Sequence, residues 1–323
     1  MSVLLHTRDL AIGYVDKKQK KILQKDITVS LAAGQIVSLI GQNGVGKTTF
    51  IKSLSGLLEH LGGKIYYRDK PLEKISRNEM ATLLSIVLTE KPGNLNLTVG
   101  ELIALGRHPY SSWLGVLSQE DKSAVEAAIN RTRINYLVDK KIYQLSDGQL
   151  QKVMIARALA QETPLIFLDE PTAHLDLHNK IEIMMLLREI SASGKGVLIS
   201  THDLQLSTQL SDELWLFNFN QPVVTGIPEA LILDGSLAET LYLSDEEYDM
   251  MHGTVELPPT GKRIAVKGEG RRKFWTERAL KRIGYTVEEG QKEEVLVSLD
   301  SWVFNGSKFS TLNELVLALK SNA

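Results

Sequence analysis

Gly41-Gln-Asn-Gly-Val-Gly46-Lys47-Thr48 is the stretch that decides the fold. It fits Gly, four residues, Gly-Lys-Ser/Thr, a pattern expected by chance in roughly one chain of this length in a hundred. Glycines at these spacings let successive backbone N–H groups curl around phosphate oxygens, and a helix start behind them adds the positive end of its dipole. Lys47 supplies charge against β- and γ-phosphates, and the Thr48 hydroxyl suits a magnesium ion. The flanks have the required form. Ile36-Val-Ser-Leu-Ile40 reads as a buried strand, and Thr48 to Leu58 as a helix with apolar residues at Phe50, Ile51, Leu54, Leu57 and Leu58. A plain glycine turn capping a helix is the alternative, and the flanks argue against it.

Further along, Leu165-Ile-Phe-Leu-Asp169-Glu170 reads as a buried strand ending in two carboxylates. Asp169 is placed to hold magnesium, and Glu170 to polarise an attacking water as general base. The pair implies hydrolysis of ATP or GTP. Other short apolar runs, Leu83 to Leu88 and Gly196 to Ser200, alternate with helical stretches at Gln149 to Gln161 and His178 to Ser191. That alternation predicts an α/β fold. Nearer the start, Val3 to Tyr14 and Ile27 to Leu31 read as strands, with the charged run Asp16 to Lys21 as a hairpin end.

Composition narrows the class. The 323 residues carry 37 Lys plus Arg against 39 Asp plus Glu, a net charge of -2, so the basic excess of a nucleic-acid binder is missing. Zero cysteines exclude a disulfide scaffold, a Cys-ligated metal and a thiol nucleophile. The first residues lack the pattern of a signal peptide, and no run approaches a membrane span, so a soluble intracellular protein is expected.

At Leu145-Ser146-Asp147-Gly148-Gln149 the sequence resembles the ATP-binding subunits of ABC transporters, and the resemblance covers about residues 3–228. Their signature is Leu-Ser-Gly-Gly-Gln; Ser146, Gly148 and Gln149 match, while Asp147 replaces the first glycine. Tyr14 stands where an aromatic ring stacks on adenine, Ala173-His-Leu-Asp176 matches the D-loop, and His202 matches the switch histidine. The resemblance implies a P-loop NTPase of ABC ATPase type, with a RecA-like core, an antiparallel β subdomain and a helical subdomain. It implies ATP contacts from Tyr14, Gly41, Asn43, Gly44, Gly46, Lys47, Thr48, Thr49, Ser146, Gly148, Gln149 and Asp176. Mg2+ would sit on Thr48 and Asp169, and Glu170, His202 and Lys47 would be catalytic. Two copies would sandwich two ATPs, each between one chain's phosphate loop and the other's signature.

Two positions depart from the family. Counting back from Thr98-Val99, the place of its magnesium-contacting glutamine falls on Thr89, which would reach the ion through its shorter arm or by way of a water. Asp147, which would repel a γ-phosphate, is expected to cap the following helix and point away.

Gly106-Arg107-His-Pro109-Tyr110 is similar to a string in importers of iron–siderophore complexes, haem and cobalamin, where it opens the helical subdomain that meets the permease. An ATPase subunit of such an importer is therefore expected. Its partners would be membrane permease subunits and, indirectly, a solute-binding protein, with no nucleic acid. Its place would be the cytoplasmic face of the cell membrane. A soluble ABC ATPase of translation or DNA maintenance would carry two motif sets or a long coiled-coil insertion, and neither is visible. A regulatory ATP-binding module without turnover is the third reading, and an intact Glu170 and His202 argue against it.

The composition shifts after Ile227, giving an expected division into an ATPase domain over 1–228, a connecting segment over 229–261 and a small α/β extension over 262–323. In the extension, Arg263 to Lys267 and Glu294 to Leu299 read as strands, and Lys273 to Ile283 and Leu312 to Leu319 as helices. Gly268-Glu-Gly270 reads as a turn into a basic helix, and Trp275 and Trp302 as packing residues.

Overall fold

The computed structural model describes residues 2–16, 19–89, 93, 96–110, 116–242, 248–249, 254–255 and 262–321. The chain divides into two compact units, 1–242 and 243–323.

The centre of the first unit is a six-stranded sheet. Its order is Val224–Gly226, Glu213–Phe217, Ile36–Gly41, Gly196–Ser200, Leu165–Asp169, Leu84–Val87, parallel except for the Val224–Gly226 edge. Every residue of Ile36–Gly41, Leu165–Asp169 and Gly196–Ser200 is buried. Continuous apolar runs are what a parallel sheet covered on both faces requires. Phe50, from the helix behind the phosphate loop, packs 6.1 Å from the Trp215 ring and 5.2 Å from Phe217, locking that helix to the sheet.

The register sets the site. Asp169 lies opposite Ser200, Ser200 opposite Leu39, and Gly41 opposite Phe217. The phosphate loop, the acidic pair and His202 thus leave the same edge of the sheet, beyond the carboxyl ends of adjacent strands.

An antiparallel sheet forms the second layer, in the order Gln19–Ile27, Val3–Asp16, Gly62–Tyr67, Lys70–Pro71, with Ser30–Ala32 also on Val3–Asp16. The expected strand over 27–31 is broken at Thr28 and Val29, and the charged stretch Gln19–Ile27 is itself a strand pairing Tyr14 with Lys21. It is an edge strand and largely exposed, so charge is tolerated along it. Val99–Ala104, Gln119–Thr132 and Asp147–Ala160 form the helical part. The helix behind the phosphate loop spans Lys47–Leu54, ending short of the expected Leu58 because Gly56 takes a left-handed φ of 70°.

The first unit extends past 228. Helices Pro228–Leu233 and Ser236–Leu241 bury Leu231 and Leu237, so residues up to 242 belong to it and not to a connecting segment. The expected linker at 258–261 lies outside the described residues.

The second unit has its own sheet, in the order Tyr285–Val287, Lys262–Lys267, Glu294–Val297, Trp302–Phe304, Ser307–Phe309, with helices Gly270–Arg282 and Leu312–Ser321. Three of these strands went unread in the sequence, each only three residues long and too short to show a period. Trp302 is buried and donates Nε1–H to Thr276 Oγ1 at 2.7 Å, a packing residue as expected. Trp275 is instead 52% exposed.

Candidate active site

The phosphate loop is shaped by its glycines. A Cβ on Gly41 would stand 2.4 Å from the Phe217 carbonyl oxygen, and Gly46 adopts a φ of 112° at the helix N-cap. Only glycine meets both demands. No side chain caps this helix, so its first amide N–H groups are available to an anion. Asn43, Gly44 and Thr48 are exposed along the loop, and Thr49 is half-buried.

Lys47 is 6% exposed and donates from Nζ to the carbonyls of Gly41 at 2.7 Å and Gln42 at 3.0 Å. Burial holds its pKa below the ordinary lysine value, against the opposing pull of the Glu170 and Asp169 carboxylates.

Asp169 is the hub. Its Oδ2 accepts from Thr48 Oγ1 at 2.8 Å and from Thr89 Oγ1 at 3.2 Å, and its Oδ1 accepts from Ser200 Oγ at 2.5 Å. Thr89 also donates to the Asp169 carbonyl at 3.1 Å. Beside it, Glu170 Oε1 stands 2.6 Å from His202 Nε2. Glu170 takes a left-handed φ of 50°, and its N–H is held by both Ser200 Oγ and the Ser200 carbonyl at 3.0 Å. Lys47, Thr48, Thr89, Asp169, Glu170 and His202 therefore meet at one place. Ser200 belongs with them and was missed by the sequence reading; its one signal is a hydroxyl closing an otherwise apolar buried strand.

The signature residues open the helix Asp147–Ala160. Ser146 caps the helix Asp147–Ala160 and exchanges bonds with Gln149, a capping box. The cap is thus Ser146 and not Asp147. Asp147 follows in the first turn, where its charge suits the helix dipole, and lines a groove with Thr89, Glu170 and His174. A Cβ on Gly148 would fall 2.6 Å from Asn179 Oδ1. Asp176 caps the next helix by accepting from the Asn179 N–H at 2.9 Å, a bond that holds its carboxyl below the usual range. Tyr14 is 41% exposed, with Lys21 Nζ 5.7 Å from its ring centre.

Gly106 to Tyr110 turns out to be an internal clamp. Arg107 is 5% exposed; its Nε donates to Asp121 at 2.8 Å, and its Nη1 to Glu162 at 2.6 Å and the Ala160 carbonyl at 2.8 Å. Its guanidinium lies 4.2 Å from the Tyr110 ring centre. These bonds tie the turn after Val99–Ala104 to the start of one long helix and the end of another.

Comparison with known proteins places the chain. Residues 24–173 match the ABC transporter family, and residues 260–320 match the iron ABC transporter C-terminal domain. An uncharacterized ABC transporter ATP-binding protein of Methanocaldococcus jannaschii is 32% identical over 267 residues, 81% of this chain and 91% of that protein. The chain belongs to the ABC transporter ATP-binding family.

Another member, the achromobactin transport ATP-binding protein of Dickeya dadantii, is 34% identical, over 74% of this chain and 87% of that one. The iron(3+)-hydroxamate import ATP-binding protein of Bacillus subtilis is 36% identical, over 64% and 76%. Among solved structures, a Clostridium perfringens subunit of the cbiONQ ABC transporter complex superposes with a TM-score of 0.63 at 27% identity, covering 75% of this chain and 95% of that one. A dimeric bacterial ABC transporter cassette shares the fold with a TM-score of 0.61 at 23% identity, over 70% and 99%. Members of this ABC ATPase family bind ATP and hydrolyse it to drive transport. No helix among the described residues is long and apolar enough to cross a membrane.

Proposed function

We propose that this chain is the ATP-hydrolysing subunit of an importer for iron chelates, working as a homodimer on the cytoplasmic face of the membrane against separate permease subunits. A solute-binding protein would deliver the chelate. The observation that carries the catalytic part is the convergence on Asp169 of Thr48, Thr89 and Ser200, with Glu170 against His202 beside it. The Thr48 hydroxyl and the Asp169 carboxylate, 2.8 Å apart, are the hard oxygens that Mg2+ prefers. Bound there with ATP, the ion would neutralise charge on the β- and γ-phosphates. Lys47 would exchange its loop carbonyls for phosphate oxygens, beside the amides of the uncapped helix. Glu170 would orient and deprotonate the attacking water, and His202, at hydrogen-bond distance, would hold Glu170 in place. Tyr14 would stack on adenine, and Ser146, Gly148, Gln149 and Asp176 would complete the site from the partner subunit.

For the solute, iron chelates are favoured over haem and cobalamin by the match of 260–320 and by the named substrates of the relatives. Two experiments test the reading. Glu170→Gln should bind ATP while turnover falls by about a hundredfold or more; normal turnover would refute Glu170 as base. Liposomes holding the chain, its permease and its binding protein should take up a radiolabelled ferric chelate only with ATP, and uptake of cobalamin instead would refute the solute class.

A further inference from the structure

We propose that Ser200 is a positioning residue that fixes which oxygen of Asp169 faces the metal and, with the same hydroxyl, holds the backbone of Glu170. This rests on the reading of Asp169 as a magnesium ligand. Ser200 is fully buried at the end of Gly196–Ser200, directly opposite Asp169 in parallel register. An ionised carboxylate only accepts hydrogen bonds, so the 2.5 Å bond to Asp169 Oδ1 uses the single Ser200 proton. The lone pairs that remain accept from the Glu170 N–H at 3.0 Å. One hydroxyl therefore ties down two successive functional residues.

The consequences follow from geometry. With Oδ1 held by Ser200, the oxygen left toward Thr48 and Thr89 is Oδ2. The terminal torsion of an aspartate is broad, so without that tether the carboxylate can turn and present either oxygen. Glu170 sits in the left-handed region, unfavourable for a residue with a Cβ, and its N–H finds two acceptors on Ser200. Loss of the hydroxyl leaves Asp169 Oδ1 without this donor and Glu170 with the Ser200 carbonyl alone. Removing a hydrogen-bond partner of a metal ligand typically weakens metal binding by about 10- to 100-fold.

The test uses the full chain as Ser200→Ala, Ser200→Thr and Asp169→Ala. The readout is the Mg2+ midpoint for binding of a fluorescent, non-hydrolysable ATP analogue, which needs no turnover. Ser200→Ala should bind the analogue in EDTA within about twofold of wild type, while its Mg2+ midpoint rises by about tenfold. Ser200→Thr, which keeps the hydroxyl, should return to within about threefold. Turnover at saturating Mg2+ should fall in Ser200→Ala by more than any change in KM for ATP. If circular dichroism shows Ser200→Ala unfolded, Ser200→Cys, of similar volume and weaker as a donor, should show a raised midpoint instead. An unchanged Ser200→Ala midpoint beside a raised Asp169→Ala midpoint would overturn the proposal alone. An unchanged Asp169→Ala midpoint would overturn the metal reading and this proposal together.

Discussion

Thr89→Ala removes a hydroxyl from the position where the family has a glutamine, and the structure sizes the effect. Thr89 Oγ1 reaches Asp169 twice, at 3.1 Å to the carbonyl and 3.2 Å to Oδ2. Both bonds are long, one donor is shared between them, and Asp169 keeps its shorter bonds from Thr48 at 2.8 Å and Ser200 at 2.5 Å. A shared, stretched bond of this kind contributes about 0.5–1.5 kcal/mol. If all of it bears on the transition state, turnover falls between about twofold and tenfold. Thr89→Gln restores the longer arm and should likewise change turnover of the isolated subunit by less than about tenfold. The assay is steady-state phosphate release at saturating Mg2+ and ATP, alone and with permease. A hundredfold loss in Thr89→Ala would mean that the hydroxyl touches metal or water directly, and the argument from Asp169 would fail.

Lys47→Ala should weaken ATP binding by about tenfold or more, the loss of a charge-assisted bond, measured by isothermal titration. Because burial depresses the Lys47 pKa, the folded chain without nucleotide binds fewer protons than the unfolded one just below the ordinary value of 10.5. Its stability should therefore rise with pH from the depressed value up to 10.5, with the gain complete above that. Phosphate opposes the depression, so ATP binding at alkaline pH should take up protons, visible as a buffer-dependent heat. Arg107→Ala should lower the urea midpoint, since it leaves Asp121 with only its Ser118 bonds and no cation, and Arg107→Lys should not restore it because the fork to Asp121 and Glu162 is lost. An unchanged midpoint would refute the clamp. A chain cut after residue 256 should still bind and hydrolyse ATP, since the whole nucleotide cluster lies within 1–242; loss of ATP binding would refute that separation.

That Thr48, Asp169, Glu170 and His202 come together was legible in the sequence because parallel pairing makes it so. Asp169 and Ser200 end neighbouring strands in register, so residues just past each end, Glu170 and His202, must meet. What escaped notice depends on contacts between distant positions. Ser200 is one serine in an apolar run, and only the register shows which carboxylate it serves. Arg107 reads as part of a string that opens the helical subdomain, and nothing in that string shows its partners, which lie 14 and 55 residues away and draw it inside. Gln19–Ile27 was hidden by its charges, tolerated because it is an exposed edge. The Asp147 cap was misread because Ser and Asp are both good caps, and the capping box selects Ser146 through Gln149.

Separate cores bear on how the chain melts. Ile264, Leu280, Val295 and Leu319 form a cluster drawn wholly from the second unit, distinct from those that embed the phosphate loop and the acidic strand. All-or-none melting is the property of a single cooperative core, so this chain, with two units of very different size, should show two transitions. Residues 243–323 lie in the size range where burial only just outweighs chain entropy, and this unit should melt first. Nucleotide raises only the transition of the unit that binds it, by mass action. A single melting temperature for the whole chain would therefore mix two equilibria, of which one answers to ATP and the other does not.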